Sequence, residues 1–139
     1  NSYHSSPRVE WGCMGTNITG ANGTAIGTGY QNTIDIVNAN CSSEFSGDLT
    51  AARICNNLTL GGYSDWFLPS PDELNLMYQN IGQGNALGLG NVGGFANYVY
   101  WSSSEGDVSS AWSQRFDDGL QGFNYKVGSS IYVRAVRAF

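Results

Sequence analysis

Apolar positions along the chain switch from a helical to an alternating period, and the switch divides it into helices followed by strands. In the segment TAARICNNLTL, Ala51, Ile54, Cys55 and Leu58 fall at i, i+3, i+4 and i+7, the stripe of a single helix face. Asp48 or Thr50 stands where an N-cap is needed, and Gly61 is placed to end the helix. A second helix is predicted from SPDEL onward. Ser70 is its N-cap, Pro71 takes the first helical position and Glu73 completes a capping box. Leu74, Met77, Tyr78 and Ile81 then repeat the apolar stripe before Gly82.

Alternation takes over near the end of the chain. SAWSQRFDDGLQGFNYKV predicts a hairpin turning at Asp118-Gly119, with Asp117 paired to Leu120. In that register Trp112, Gln114, Phe116, Gln121, Phe123 and Tyr125 share one face, which should pack inward. Ser113, Arg115, Gly122, Asn124 and Lys126 share the other, so Arg115 and Lys126 point to solvent together. The closing segment SIYVRAVRAF reads as a last strand. A three-residue turn before it places Ile131, Val133, Ala135 and Arg137 inward and Tyr132 and Arg134 outward; a two-residue turn reverses that assignment.

The remaining stretches are less regular. Residues 1–10, with His4 and Pro7, read as a tail or linker remnant, and 11–139 as a single domain. Residues 11–46 interleave Gly, Asn and Thr with runs such as TIDIV, and are expected to be loops with one or two strands. Six glycines lie between Gly82 and Gly94, a loop that excludes a regular element. Within it GLGNVG (88–93) has dinucleotide-binding spacing, but no strand leads into it and position 113 is Ser rather than an acid, so it is no nucleotide site.

Composition narrows the class. Of 139 residues only 12% are charged, about half the usual share, while 13% are aromatic. Such a chain folds, and its uncharged exterior suits a secreted protein. A net charge of −5 with six cationic side chains gives duplex nucleic acid no basic footprint. No apolar run approaches the roughly 18 residues of a membrane-spanning helix. Of Cys13, Cys41 and Cys55, an odd count, the expected bridge is Cys41–Cys55, worth roughly 3 kcal/mol on the chain-entropy model, with Cys13 unpaired.

Catalytic constellations are sparse, and no enzyme is expected. The single histidine, His4, lies in the tail, and neither an SxxK nor a GxSxG pattern occurs, so Ser102–Ser104 read as hydroxyls bonding backbone at a strand end. Zinc would need several Cys or His at close spacing. Calcium is the one metal left open, with Glu105, Asp107, Asp117 and Asp118 as hard oxygen ligands in loop-like segments. Glycosylation sequons begin at Asn17, Asn22, Asn40 and Asn57.

Five stretches occur in an order that resembles a known family: WGCMGTNITGANGTAIGTGYQNT from Trp11, GGYSDWFLPSPDEL (Gly61–Leu74), YWSSSE (Tyr100–Glu105), AW…RF (Ala111–Phe116) and YVRAVRAF (Tyr132–Phe139). Together they resemble the Lcl C-terminal domain family, named for a collagen-like bacterial adhesin. The resemblance implies an α+β fold, a C-type-lectin-like or formylglycine-generating-enzyme-like variant with two helices beside twisted antiparallel sheet. It implies a non-enzymatic head at the end of a collagen-like stalk on the bacterial surface. Such a head is a homotrimer that binds sulfated glycosaminoglycans and possible host extracellular-matrix proteins. Cys13 stands where relatives are expected to carry a small residue such as Gly. Within the shared motifs Trp66, Leu68, Trp101 and Trp112 are expected to build the core, and Glu105 or Asp65 to pair with a buried Arg, with Arg137 the choice.

A sulfated polymer is a polyanion, so an acidic domain must gather cations on one surface to hold it. The hairpin register offers Arg115, Lys126 and Arg134 as that glycosaminoglycan-binding set, with Arg8 and Arg53 weaker candidates. A module that trimerises and registers a collagen stalk, and a lectin-like module for neutral sugar or protein, are the alternatives.

Overall fold

In the computed structural model, which describes residues 9–43, 49–128 and 131–138, a three-stranded antiparallel sheet divides the interior in two. Its strands β1 (Val99–Glu105), β2 (Ser110–Arg115) and β3 (Gln121–Tyr125) lie in that order. One face carries Trp101 and Ala111 into the main core, with Val9, Trp11, Ile36, Ile54, Leu68 and Val133. The other carries Tyr100 and Phe116 into a smaller aromatic cluster with Phe95 and Leu74. The C-terminal segment runs parallel to β1, with Trp101 N–H donating to Tyr132 O at 2.9 Å and Tyr132 N–H to Val99 O at 2.8 Å. Its alternation feeds both cores: Ile131, Val133 and Ala135 enter the main one, and Tyr132 packs on the aromatic one.

Among the described residues three helices flank the sheet: α1 (Gly29–Asn38), α2 (Ala51–Asn57) and α3 (Pro71–Ile81). The last two are those predicted. The capping box on α3 is formed, with Glu73 N–H donating to Ser70 Oγ at 3.3 Å and Ser70 N–H to Glu73 Oε1 at 2.8 Å. The same Glu73 carboxylate accepts the Gly29 N–H at 3.1 Å, so it also pins the start of α1. A side chain at Gly29 would collide with Ser70 N at 2.8 Å and Leu68 O at 2.9 Å, which is why glycine stands there.

α1 replaces the expected loops and strands. Its buried positions, Gly29, Asn32, Thr33 and Ile36, do follow a helical period, but three of the four are not large apolar residues. Asn32 is buried because Nδ2 donates to Gly23 O and to Ser103 Oγ, and Thr33 because its Oγ1 donates to Gly29 O and accepts the Leu68 N–H.

The hairpin departs from its expected register by two residues. Arg115 N–H donates to Leu120 O at 2.9 Å, so residues 116–119 form the turn and Trp112 pairs with Phe123. An even slip preserves which side chains share a face. It is the burial that differs. α3 covers only the turn end of the aromatic face, where Gln114 Nε2 reaches Asn75 and Gln121 Nε2 reaches Pro71 O. Beyond that cover Phe123 is 55% and Tyr125 68% exposed, and Trp112 is only half-buried against Phe123 instead of lying in the core.

The disulfide is also differently placed. Cys13 bridges Cys41, closing the segment that contains α1 (sequence separation 28), while Cys55 is free. The buried stripe of α2 turns Cys55 into the core beside Ala51, where burial pushes its thiol pKa up. Cys13 has φ +59°, the left-handed region that glycine favours, which accounts for the small residue expected at this position. Val9 and Glu10, read from the sequence as tail, are buried: Val9 O accepts from Trp101 Nε1 at 2.7 Å and Glu10 O from Ala51 N–H at 2.8 Å. His4, Arg8 and Asp48 lie outside the described residues.

A non-reducing digest should yield a Cys13–Cys41 peptide, and iodoacetamide should label one thiol per chain only after denaturation. Cys13→Ser should lower stability by roughly 3–4 kcal/mol in urea unfolding. A Cys41–Cys55 peptide would contradict the structure.

Candidate functional site

The three cations expected to form one outer patch do not meet. Arg115 is exposed, but Asp117 takes its guanidinium through two hydrogen bonds of 3.2 and 3.0 Å, and Asp118 lies 3.6 Å away. Those bonds hold the Asp117 carboxyl below its ordinary pKa. Lys126 is fully buried, with Nζ donating to Glu105 Oε2 at 2.6 Å and to Thr16 O at 2.9 Å. The face opposite the aromatics is covered by the N-terminal segment, where Trp11 N–H donates to Lys126 O, so the side chain cannot reach solvent. Arg134 is buried on the aromatic cluster, its guanidinium 3.9 Å from the Phe95 ring. Glu105 thus pairs with Lys126, and Arg137 does pair with Asp65, but at the surface rather than buried as expected.

The four carboxylates considered for calcium are each engaged by protein groups, Glu105 by Lys126 and both Asp117 and Asp118 by Arg115. Asp107 Oδ1 accepts from the N–H and hydroxyl of Ser109 and of Ser110, fixing its own turn. No group of three or more His, Cys, Asp or Glu able to hold a metal occurs among the described residues. Ser102 Oγ donates to Trp112 O at 2.9 Å, so it is backbone-bonded as expected.

What the fold does assemble is a groove of about 570 Å³. One wall is a tight turn, Leu60 to Tyr63, in which Gly61 and Gly62 take φ of +62° and +84°. The turn is held against the C-terminal segment by paired hydrogen bonds between Phe67 and Val136, 2.8 and 2.9 Å. That pairing brings Tyr63 and Trp66 beside Arg134 and Arg137, and Met77 and Ile81 of α3 complete the enclosure. Arg137 lies 3.6 Å over the Tyr63 ring and grips Asp65 with Nε at 2.7 Å and Nη2 at 3.1 Å. The hydrogen bond keeps the Asp65 carboxyl below its ordinary pKa and raises that of the guanidinium. For Arg134 burial acts first and lowers the pKa, opposed by the Tyr100 phenol; it stays charged at neutral pH.

A family model for the Lcl C-terminal domain matches residues 11–137. The chain belongs to the Lcl C-terminal domain family. No curated protein sequence matches it. The family is adhesin-associated, and the matched span contains both walls of the groove. Of the groove residues, the sequence singled out Arg134 and Arg137, the latter with Asp65 as its partner. It placed Met77 and Ile81 only as inward helix positions, and Trp66 only as core.

Replacing Lys126 by Met should destabilise the domain by about 3–5 kcal/mol in urea unfolding, since Glu105 would be left buried and unpaired. Arg115→Ala should leave the unfolding midpoint unchanged. Equal, small effects of the two would contradict the structural role assigned to Lys126.

Proposed function

We propose that the domain is the non-enzymatic adhesive head of a collagen-like surface protein, and that it binds sulfated glycosaminoglycan as a homotrimer. The observation that carries this reading is the groove, where two arginines stand among aromatic side chains. At a net charge of −5 the monomer repels a polyanion at long range, so binding has to come from short-range contacts. A guanidinium offers those, because its fork matches a sulfate as well as a carboxylate. Arg137 can exchange Asp65 for a sulfate at modest cost, since an exposed ion pair contributes little. Aromatic walls suit the apolar C–H faces of sugar rings, and three copies engaging one polymer multiply weak contacts.

The location follows the same reading. A disulfide forms and persists in oxidising surroundings, which suits a secreted or surface protein. No described helix is long and apolar enough to cross a membrane. The small antiparallel sheet flanked by helices and long loops supports a C-type-lectin-like variant as the scaffold.

A second reading, the trimerisation module, is favoured by the free side of β3. Phe123 and Tyr125 are exposed there on one face of the outermost strand. Solvated aromatics in a row are the raw material of a subunit interface. The two readings are compatible in one domain.

Retention on immobilised heparin across a salt series tests the first. Binding should weaken steeply with salt, Arg137→Ala should lose about tenfold, and Arg115→Ala should behave as wild type. Absence of retention at low salt would overturn glycosaminoglycan binding. Sedimentation equilibrium tests the second: wild type should be trimeric and Phe123→Ser/Tyr125→Ser monomeric, whereas a monomeric wild type would defeat it.

A further inference from the structure

Among the described residues two cations are buried, and they are treated differently. Lys126 is met by the Glu105 carboxylate at 2.6 Å. Arg134, 5% exposed, has no carboxylate among the described residues within ion-pair distance. Its contacts are the Gly93 carbonyl, 3.0 Å from Nη2, the Phe95 face and the Tyr100 phenol. Nε is buried and has no hydrogen-bond partner. A desolvated cation without its anion is costly, yet this one forms part of the wall of a groove that is otherwise mostly apolar and aromatic.

We propose that Arg134 is the anchor for the carboxylate of a hexuronate residue of an acidic polysaccharide, with the sugar ring lying on Tyr63 and Trp66. The proposal rests on the glycosaminoglycan reading above and sharpens it, from a polyanion held by charge to a particular sugar held by shape. Three features select this class. The Arg134 guanidinium lines the groove, and its planar fork matches the two oxygens of a carboxylate. In a hexuronate the carboxyl is attached directly to the ring, so charge and apolar ring face are held rigidly together. Arg134 and the aromatic walls present the same pairing, whereas a sulfate projects from its ring through a rotatable ester bond. At the rim, the Asp65–Arg137 pair supplies an acceptor and donors of the kind that ring hydroxyls need. The groove volume, about 570 Å³, falls in the range of small-ligand sites. Packing on Phe95 holds the guanidinium in place before ligand arrives, which reduces the ordering cost of binding.

The test uses hyaluronan tetrasaccharide, which carries glucuronate and no sulfate, its carboxyl-reduced counterpart, and heparin in parallel, read by tryptophan fluorescence and calorimetry. Hyaluronan tetrasaccharide should bind, and carboxyl reduction should weaken it at least about tenfold. Arg134→Lys, which keeps the charge and loses the fork, should weaken it similarly. Because a change at a buried position can disturb folding, Tyr63→Ala at the exposed rim provides the second variant and should also lose about tenfold. Equal affinity for the carboxyl-reduced sugar, or an unaffected Tyr63→Ala, would overturn the proposal. Heparin binding without hyaluronan binding would overturn it too while leaving the adhesin reading standing. Failure of both sugars would remove both.

Discussion

The buried Lys126–Glu105 pair is the constraint on which the rest of the structure depends. Lys126 Nζ donates to Glu105, to Thr16 O and to Cys13 O at 3.3 Å, and sits 5.0 Å from the Trp11 ring. Glu105 completes the junction by accepting the Ile18 N–H with both oxygens at 3.0 Å. The end of β1, the residue after β3 and the N-terminal segment are thereby tied at one point. That segment has little regular structure of its own, and satisfied polar contacts of this kind are what give such a chain a single path. Once the path is set, Cys13 comes within reach of Cys41, and Trp11 enters the main core with its Nε1 bonded to Ser102 O.

Much of the architecture was legible because local signals agreed with the tertiary structure. The capping box named the start of α3, and the stripe of Ala51, Ile54 and Cys55 named the buried face of α2. Alternation in the hairpin gave the correct division of side chains between faces despite a two-residue slip, because an even slip leaves parity intact. Which face would be buried was not legible. Amphipathic strands usually turn aromatics inward, but here a lysine goes in because a carboxylate and two carbonyls wait for it, and those partners lie 21 to 113 positions away. α1 was hidden for a related reason, since Asn32 and Thr33 are buried by hydrogen bonds rather than by hydrophobicity.

The candidate site was legible only in pieces. Pairing of Asp65 with Arg137 could be anticipated from the need to balance an arginine, but the groove requires the Phe67–Val136 pairing, a contact across 69 positions that no local pattern announces. The cations sort accordingly. Lys126 holds the fold together, Arg115 is neutralised within its own turn, and Arg134 and Arg137 border open space. On the proposed function, an acidic domain would hold an acidic polymer through these two guanidinium groups, with net charge a poor guide to where.

The central claim is that ligand enters the groove rather than the hairpin face. Chemical-shift mapping of the isotope-labelled domain with a heparin tetrasaccharide tests it most directly. The account predicts that the perturbed signals cluster at Tyr63, the Trp66 indole, Arg134 and Arg137, with the hairpin around Arg115 unmoved. Perturbations concentrated on that hairpin, with the groove silent, would contradict it.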